Sequence, residues 1–117
     1  MSVPREDFGK YLDLDDVMKR LGGKRALLDV LLKKHLADTS ESSLKEALAA
    51  GDHESAKAVI HAMKGTAGNL SLCALQEAAA ALEAVLKEGG EPGGLPEKLY
   101  EINAATAFVI QTMLQEG

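Results

Sequence analysis

Apolar residues recur along this chain at three- and four-residue steps, in segments separated by glycines, and this pattern confines the fold to packed helices. Ala56, Val59, Ile60, Met63, Ala67 and Leu70 form one such stripe; Leu72, Leu75, Ala79, Leu82 and Leu86 form the next. A third runs through Leu99, Ile102, Thr106, Val109, Ile110 and Met113. The interruptions fall at Gly22 and Gly23, at Gly51, and at Gly89 and Gly90. Composition agrees: only 3% of residues are aromatic, Trp is absent, and Ala and Leu outnumber the β-branched residues that favour sheets.

The helix boundaries have local causes. Asp13 is placed to cap a first helix, with Asp15 and Asp16 in the first turn where the helix dipole favours acids, and Gly22 and Gly23 end it. A long helical segment is expected from about Lys24 to Ala50. Asp52 then caps a third helix with Glu54 and Ser55 in its first turn, and Ser71 is expected to cap a fourth that ends at Gly89. After the Gly-rich joint "GGEPGG", Pro96 suits the first turn of a last helix reaching about Gln115. Four long amphipathic helices with short connections predict an all-α fold: an antiparallel up-down four-helix bundle, with a short additional N-terminal helix covering one end. Residues 13–116 are expected to form one domain behind an N-terminal extension, 1–12. Sustained heptads with charged flanks, the mark of a long coiled coil, are missing.

A net charge of −5 argues against binding to nucleic acid or anionic membranes, which needs clustered Lys and Arg. No apolar stretch approaches the roughly 20 residues that span a bilayer. The single Cys73 allows no intrachain disulfide, so the expected location is the cytoplasm, and the expected partner is another protein.

The segment "VIHAMKGTAGNL" is where chemistry concentrates. With Ala56 set at zero on a helical wheel, Ile60, Met63, Ala67 and Leu70 lie within about 40° of it, while Lys64, Gly68, His61 and Gly65 fall at about 80°, 120°, 140° and 180°. Lys64 and Gly65 therefore flank His61 at helical neighbour positions. A glycine within a helix costs roughly 1 kcal/mol relative to Ala, so two beside a histidine imply that side chains are kept away from the ring to admit something large. An open imidazole beside an ammonium suits nucleophilic attack on phosphate. His35 and His53 have no comparable setting and are expected to be ordinary surface or packing residues. No residue gives His61 or Cys73 a metal partner at helical spacing, so no metal site is expected; Cys73 is expected to be a small packing residue.

The run "HAMKGTAGNLSL" resembles the signature of histidine-containing phosphotransfer (HPt) domains of two-component phosphorelays. The likeness continues through "DDVMKRLGGKRALLDVLLKKHLAD", "LKEALAAGDHESAKAVIHAMKG" and "LCALQEAAAALEAVL". It implies that His61 is the phosphorylated residue, that Lys64 steadies the phosphoryl group and that Gly65 gives a partner access. It also implies that Glu83, twenty-two positions after the histidine, holds the imidazole Nδ1–H from the next helix and leaves Nε2 free. Gly68, Gln76 and Lys87 would surround that site. Met63 stands where the family more often has Leu, and Ser71 where it often has Gly. The function implied is a phosphorelay intermediate: His61 accepts a phosphoryl group from a receiver-domain aspartyl phosphate and passes it to another receiver. The expected partners are response-regulator receiver domains and a hybrid sensor histidine kinase, met by a monomer. With no Gly-rich nucleotide loop, no ATP-dependent kinase activity is expected. The chain would carry no cofactor of its own, the partner receiver supplying magnesium. Two other functions fit a similar frame: the phospho-accepting domain of a chemotaxis-type kinase, and a helical interaction module without phosphate chemistry.

Overall fold

The computed structural model describes residues 2–116, so residue 1 of the expected extension lies outside them. All regular structure among these residues is helical: a 3-10 turn at Arg5–Asp7, then α1 (Phe8–Tyr11), α2 (Leu14–Arg20), α3 (Arg25–Leu36), α4 (Ser40–Ala49), α5 (His53–Asn69), α6 (Cys73–Lys87) and α7 (Leu95–Glu116). The apolar stripes face one another in a common core, in which Leu28, Leu32, Leu44, Ile60, Leu75, Leu82, Leu99 and Ile110 are fully buried. Helix α5 packs between α4 and α6, α6 also packs on α7, and α3 lies against α7. Opposed numbering across α5 and α6 marks them as antiparallel, His61 meeting Glu83 and Gly68 meeting Gln76. Helices α4 and α7 are linked by a hydrogen bond from Asn103 to Glu41 (3.2 Å) and by the Lys45 ammonium 4.6 Å from the centre of the Tyr100 ring.

Two helix caps are as expected. The Asp13 carboxylate accepts from the Asp16 N–H at 3.0 Å, and the Asp52 carboxylate from the Ser55 N–H at 3.1 Å. Three features differ. The long segment from Lys24 to Ala50 is two helices, broken at Ala37–Thr39, because the Asp38 carboxylate accepts from both the backbone N–H (2.9 Å) and the hydroxyl (2.7 Å) of Ser40 and so starts a new helix. Within the N-terminal extension, for which the sequence predicts no helix, α1 forms and packs on α6 and α7, with Phe8 edge-on to Phe108.

The third difference is Ser71, which does not cap α6. It has φ of 55°, the left-handed conformation that terminates α5, where the Leu72 N–H reaches back to the Ala67 carbonyl. Its hydroxyl donates to Asp16 at 2.5 Å and its carbonyl accepts from the Asp13 N–H at 2.9 Å, so the first turn of α2 is tied to the turn between α5 and α6. A left-handed non-glycine residue costs roughly 1–2 kcal/mol, and here the tether to α2 compensates. Ser71→Ala keeps the backbone penalty and loses the hydroxyl bond, whereas Ser71→Gly loses the bond and relieves the penalty. Urea midpoints are therefore expected to place Ser71→Ala lowest, with Ser71→Gly above it; a Ser71→Ala protein as stable as the Gly variant would show that the left-handed turn is unstrained.

Candidate functional site

Helix α5 is amphipathic and runs across the core with Ala56, Ile60, Met63 and Ala67 buried, which leaves His61 on its outer side. The His61 side chain is 69% exposed. Its Nδ1 lies 2.7 Å from Oε2 of Glu83, a residue of α6 whose own side chain is only 4% exposed. Glu83 sits at the edge of the α6 stripe, between buried Leu82 and Leu86, so the packing of α6 on α5 fixes the carboxylate against the ring.

The carboxylate is held from three sides. The Lys64 ammonium donates to Oε1, His61 occupies Oε2, and the Lys87 ammonium stands 3.8 Å from Oε2. The Lys64 hydrogen bond, helped by the one to His61 and by the charges of Lys64 and Lys87, holds the Glu83 carboxyl below its ordinary value despite the opposing effect of burial. An ionised carboxylate only accepts hydrogen bonds, so the proton of the shared contact belongs to Nδ1, and in the neutral ring Nε2 carries the lone pair. That nitrogen lies across the ring from the one Glu83 holds, on a side chain that is mostly exposed.

The two glycines have different surroundings. A Cβ built on Gly65 would meet nothing within 4 Å, so the space beside His61 is open. A Cβ on Gly68 would come within 2.8 Å of Nε2 of Gln76, so this glycine makes room for a side chain of α6 and is not an empty approach to the ring. The seven residues picked from the sequence thus separate into two groups. His61, Lys64 and Lys87 converge on the Glu83 carboxylate beside open Gly65, while Gly68 and Gln76 pair nearer the α5–α6 turn. Sequence reasoning missed the bond between Lys64 and Glu83, having aimed the ammonium only at phosphate. The wheel contained a signal for it, because Lys64 falls between the core stripe and His61 on the flank of α5 that faces α6.

His53 is exposed at the start of α5, and His35 is half-buried at the end of α3. Neither ring has a carboxylate partner comparable with Glu83. Among the described residues no group of three or more His, Cys, Asp or Glu could hold a metal ion, and no helix is long and apolar enough to cross a membrane.

The grip on Nδ1 gives an expected outcome. In Glu83→Ala the imidazole is free to exchange its proton between nitrogens, so nitrogen NMR of His61 should change from one dominant tautomer to a mixture; an unchanged spectrum would mean that the two side chains do not meet in solution. The carboxyl value is lowered in the folded state, so the stability this contact contributes is complete above the ordinary value of 4.5 and is lost as the pH falls through the folded value. Glu83→Gln should flatten that part of the acid unfolding profile.

No curated protein and no solved structure matches the chain significantly. The family model described as "Hpt domain" matches residues 27–116, from α3 to the end of α7, and so includes His61, Lys64, Gly65 and Glu83. Hpt domains are phosphoryl carriers, not kinases, and they meet receiver domains and histidine kinases in two-component signalling. With the match spanning most of its length, the chain belongs to the Hpt domain family.

Proposed function

We propose that this domain is a phosphorelay intermediate in which Nε2 of His61 takes a phosphoryl group from an aspartyl phosphate on one receiver domain and gives it to an aspartate on another. The observation that carries this reading is the Nδ1–Glu83 contact at 2.7 Å on a ring that is 69% exposed, because it fixes the tautomer without hiding the nucleophile. The Nε2 lone pair attacks phosphorus, the bond from phosphorus to the aspartyl oxygen breaks, and the carboxylate leaves with the electron pair. The ring keeps its Nδ1 proton and gains positive charge, which the Glu83 carboxylate offsets. The return step reverses these events with the second receiver's carboxylate as nucleophile.

Lys64 has three ammonium protons, so it can hold Glu83 and still present a donor to the phosphoryl oxygens. Gly65 supports the reading by leaving space for the partner's own phosphate site, where the receiver supplies magnesium and its acidic residues. The frame that suits this role is an antiparallel up-down four-helix bundle with α3 and α4 sharing one wall and α5, α6 and α7 forming the others. The contacts of α4 with α5, α5 with α6, α6 with α7 and α4 with α7 support that arrangement.

The test uses two phosphoryl donors on the unaltered protein: a panel of phosphorylated receivers, and a histidine kinase with ATP. Acid-labile label is expected from at least one receiver, with matching loss from that receiver. Label obtained only from the kinase would favour the phospho-accepting domain of a chemotaxis-type kinase, and none from either would favour an interaction module.

A further inference from the structure

His35 lies in the last turn of α3, next to the unexpected break before α4, and its Nδ1 is cut off from solvent with no hydrogen-bond partner. Buried polar atoms are rarely left so, since water has been given up and nothing replaces it. Beside the ring is a narrow cavity of about 20 Å³ whose polar lining is His35, Asp38, Ser40, Glu41, Thr66 and Asn103. A single water needs about 10–15 Å³ measured in this way, together with two to four polar partners. The cavity supplies both.

We infer that this cavity binds one water molecule, which completes the hydrogen bonding of neutral His35 and joins the α3–α4 corner to α5 and α7, and that the corner loosens when His35 is protonated. The water reaches three elements at once: the corner through His35 and Ser40, α5 through Thr66, and α7 through Asn103. Protonation places a charge on a half-buried ring. Of the two nearby anions, Asp38 holds the N–H and hydroxyl of Ser40 through Oδ1 alone, so its charge opposes the cost of protonation only in part, and Glu41 is taken up by Asn103 and by Lys45 at 3.3 Å. These two carboxylates are the titratable groups of the lining; α5, α6 and α7 contribute Met63 and Thr66, Leu75, and Asn103, none of which titrates in this range. Burial holds His35 below its ordinary value of 6.5, and the charge of Asp38 only partly opposes this. A histidine lowered on folding contributes stability that is present above its unfolded value and lost as the pH falls through its folded value.

Two measurements on the whole chain test the proposal. In the unaltered protein, NMR should detect magnetisation transfer between water and the His35 ring with the sign given by a water that stays longer than the molecule tumbles; its absence would overturn the water site. In parallel, urea unfolding of wild type and His35→Gln is compared from about pH 7.5 to about pH 5. Other groups, His61 included, are common to both proteins and cancel in the difference. The ratio of their unfolding constants is expected to move by about threefold or more against the wild type as the pH falls. A ratio that stays constant would overturn the pH-sensitive corner, even if the water is found.

Discussion

Replacing His61 with Gln is expected to remove phosphoryl acceptance completely while leaving the fold intact. The side chain is mostly exposed, so little apolar packing is lost, and Gln is a better helix former than His. What disappears is the proposed nucleophile, and no neighbour can replace it: Lys64 and Lys87 are ammonium groups turned to Glu83, and Glu83 is itself covered. His53 is exposed at the start of α5 and His35 is half-buried near the end of α3, neither with a carboxylate fixing its ring, so His35→Gln and His53→Gln should accept phosphate as the wild type does. Acid-labile label after incubation with a phosphorylated receiver gives the answer. Label surviving in folded His61→Gln would place the chemistry elsewhere.

Gly65→Gln is expected to give the second largest effect, and in this case the chemistry is left in place. A Cβ at this position meets nothing within 4 Å, so the domain itself has room for a side chain. Replacing a helical glycine also favours folding, by up to about 1 kcal/mol for Ala. A partner whose aspartyl phosphate must reach Nε2 in line, at about 3 Å, loses that approach if a long side chain stands one turn from the ring. Misplacement by about 1 Å can cost on the order of 100-fold, and a comparable fall in transfer rate is expected here. Gly65→Ala should be the milder variant, more stable and only slightly slower. The pairing of unchanged or raised urea midpoint with lost transfer is what separates a glycine kept for access from one kept for folding; normal transfer in folded Gly65→Gln would remove the access role.

Much of this architecture is legible in the sequence because helices advertise their buried faces. Leu75, Ala79, Leu82 and Leu86 are spaced for one face and are all buried, and Asp13 and Asp52 cap where an acid precedes an apolar run. His61 was legible from its flanking glycines and lysine, and Glu83 through the resemblance, which implies a partner twenty-two positions after the histidine; the structure places the two side chains 2.7 Å apart. The break at Asp38 was not read because apolar periodicity continues on both sides of it. The stretch "DTSESS" contained the competing signal, an Asp able to bond the N–H two residues on. Ser71 was misread for a related reason: serine is common at helix starts, and only the three-dimensional link to Asp16 explains why it occupies a left-handed turn. Lys64 and Gly68 depended on α6 in the same way, one drawn to Glu83 and the other making space for Gln76. Periodicity records which face of a helix is buried, and it carries little about which side chains meet across helices.

The proposed transfer depends on one atom, Nε2 of His61, left free because Glu83 occupies Nδ1. Phosphorylating nitrogen-labelled protein from a receiver and recording the coupling between phosphorus and the imidazole nitrogens tests it most directly. The expected spectrum has phosphorus coupled to Nε2 of His61 and a proton retained on Nδ1. Phosphorus on Nδ1, or on any residue other than His61, would contradict it.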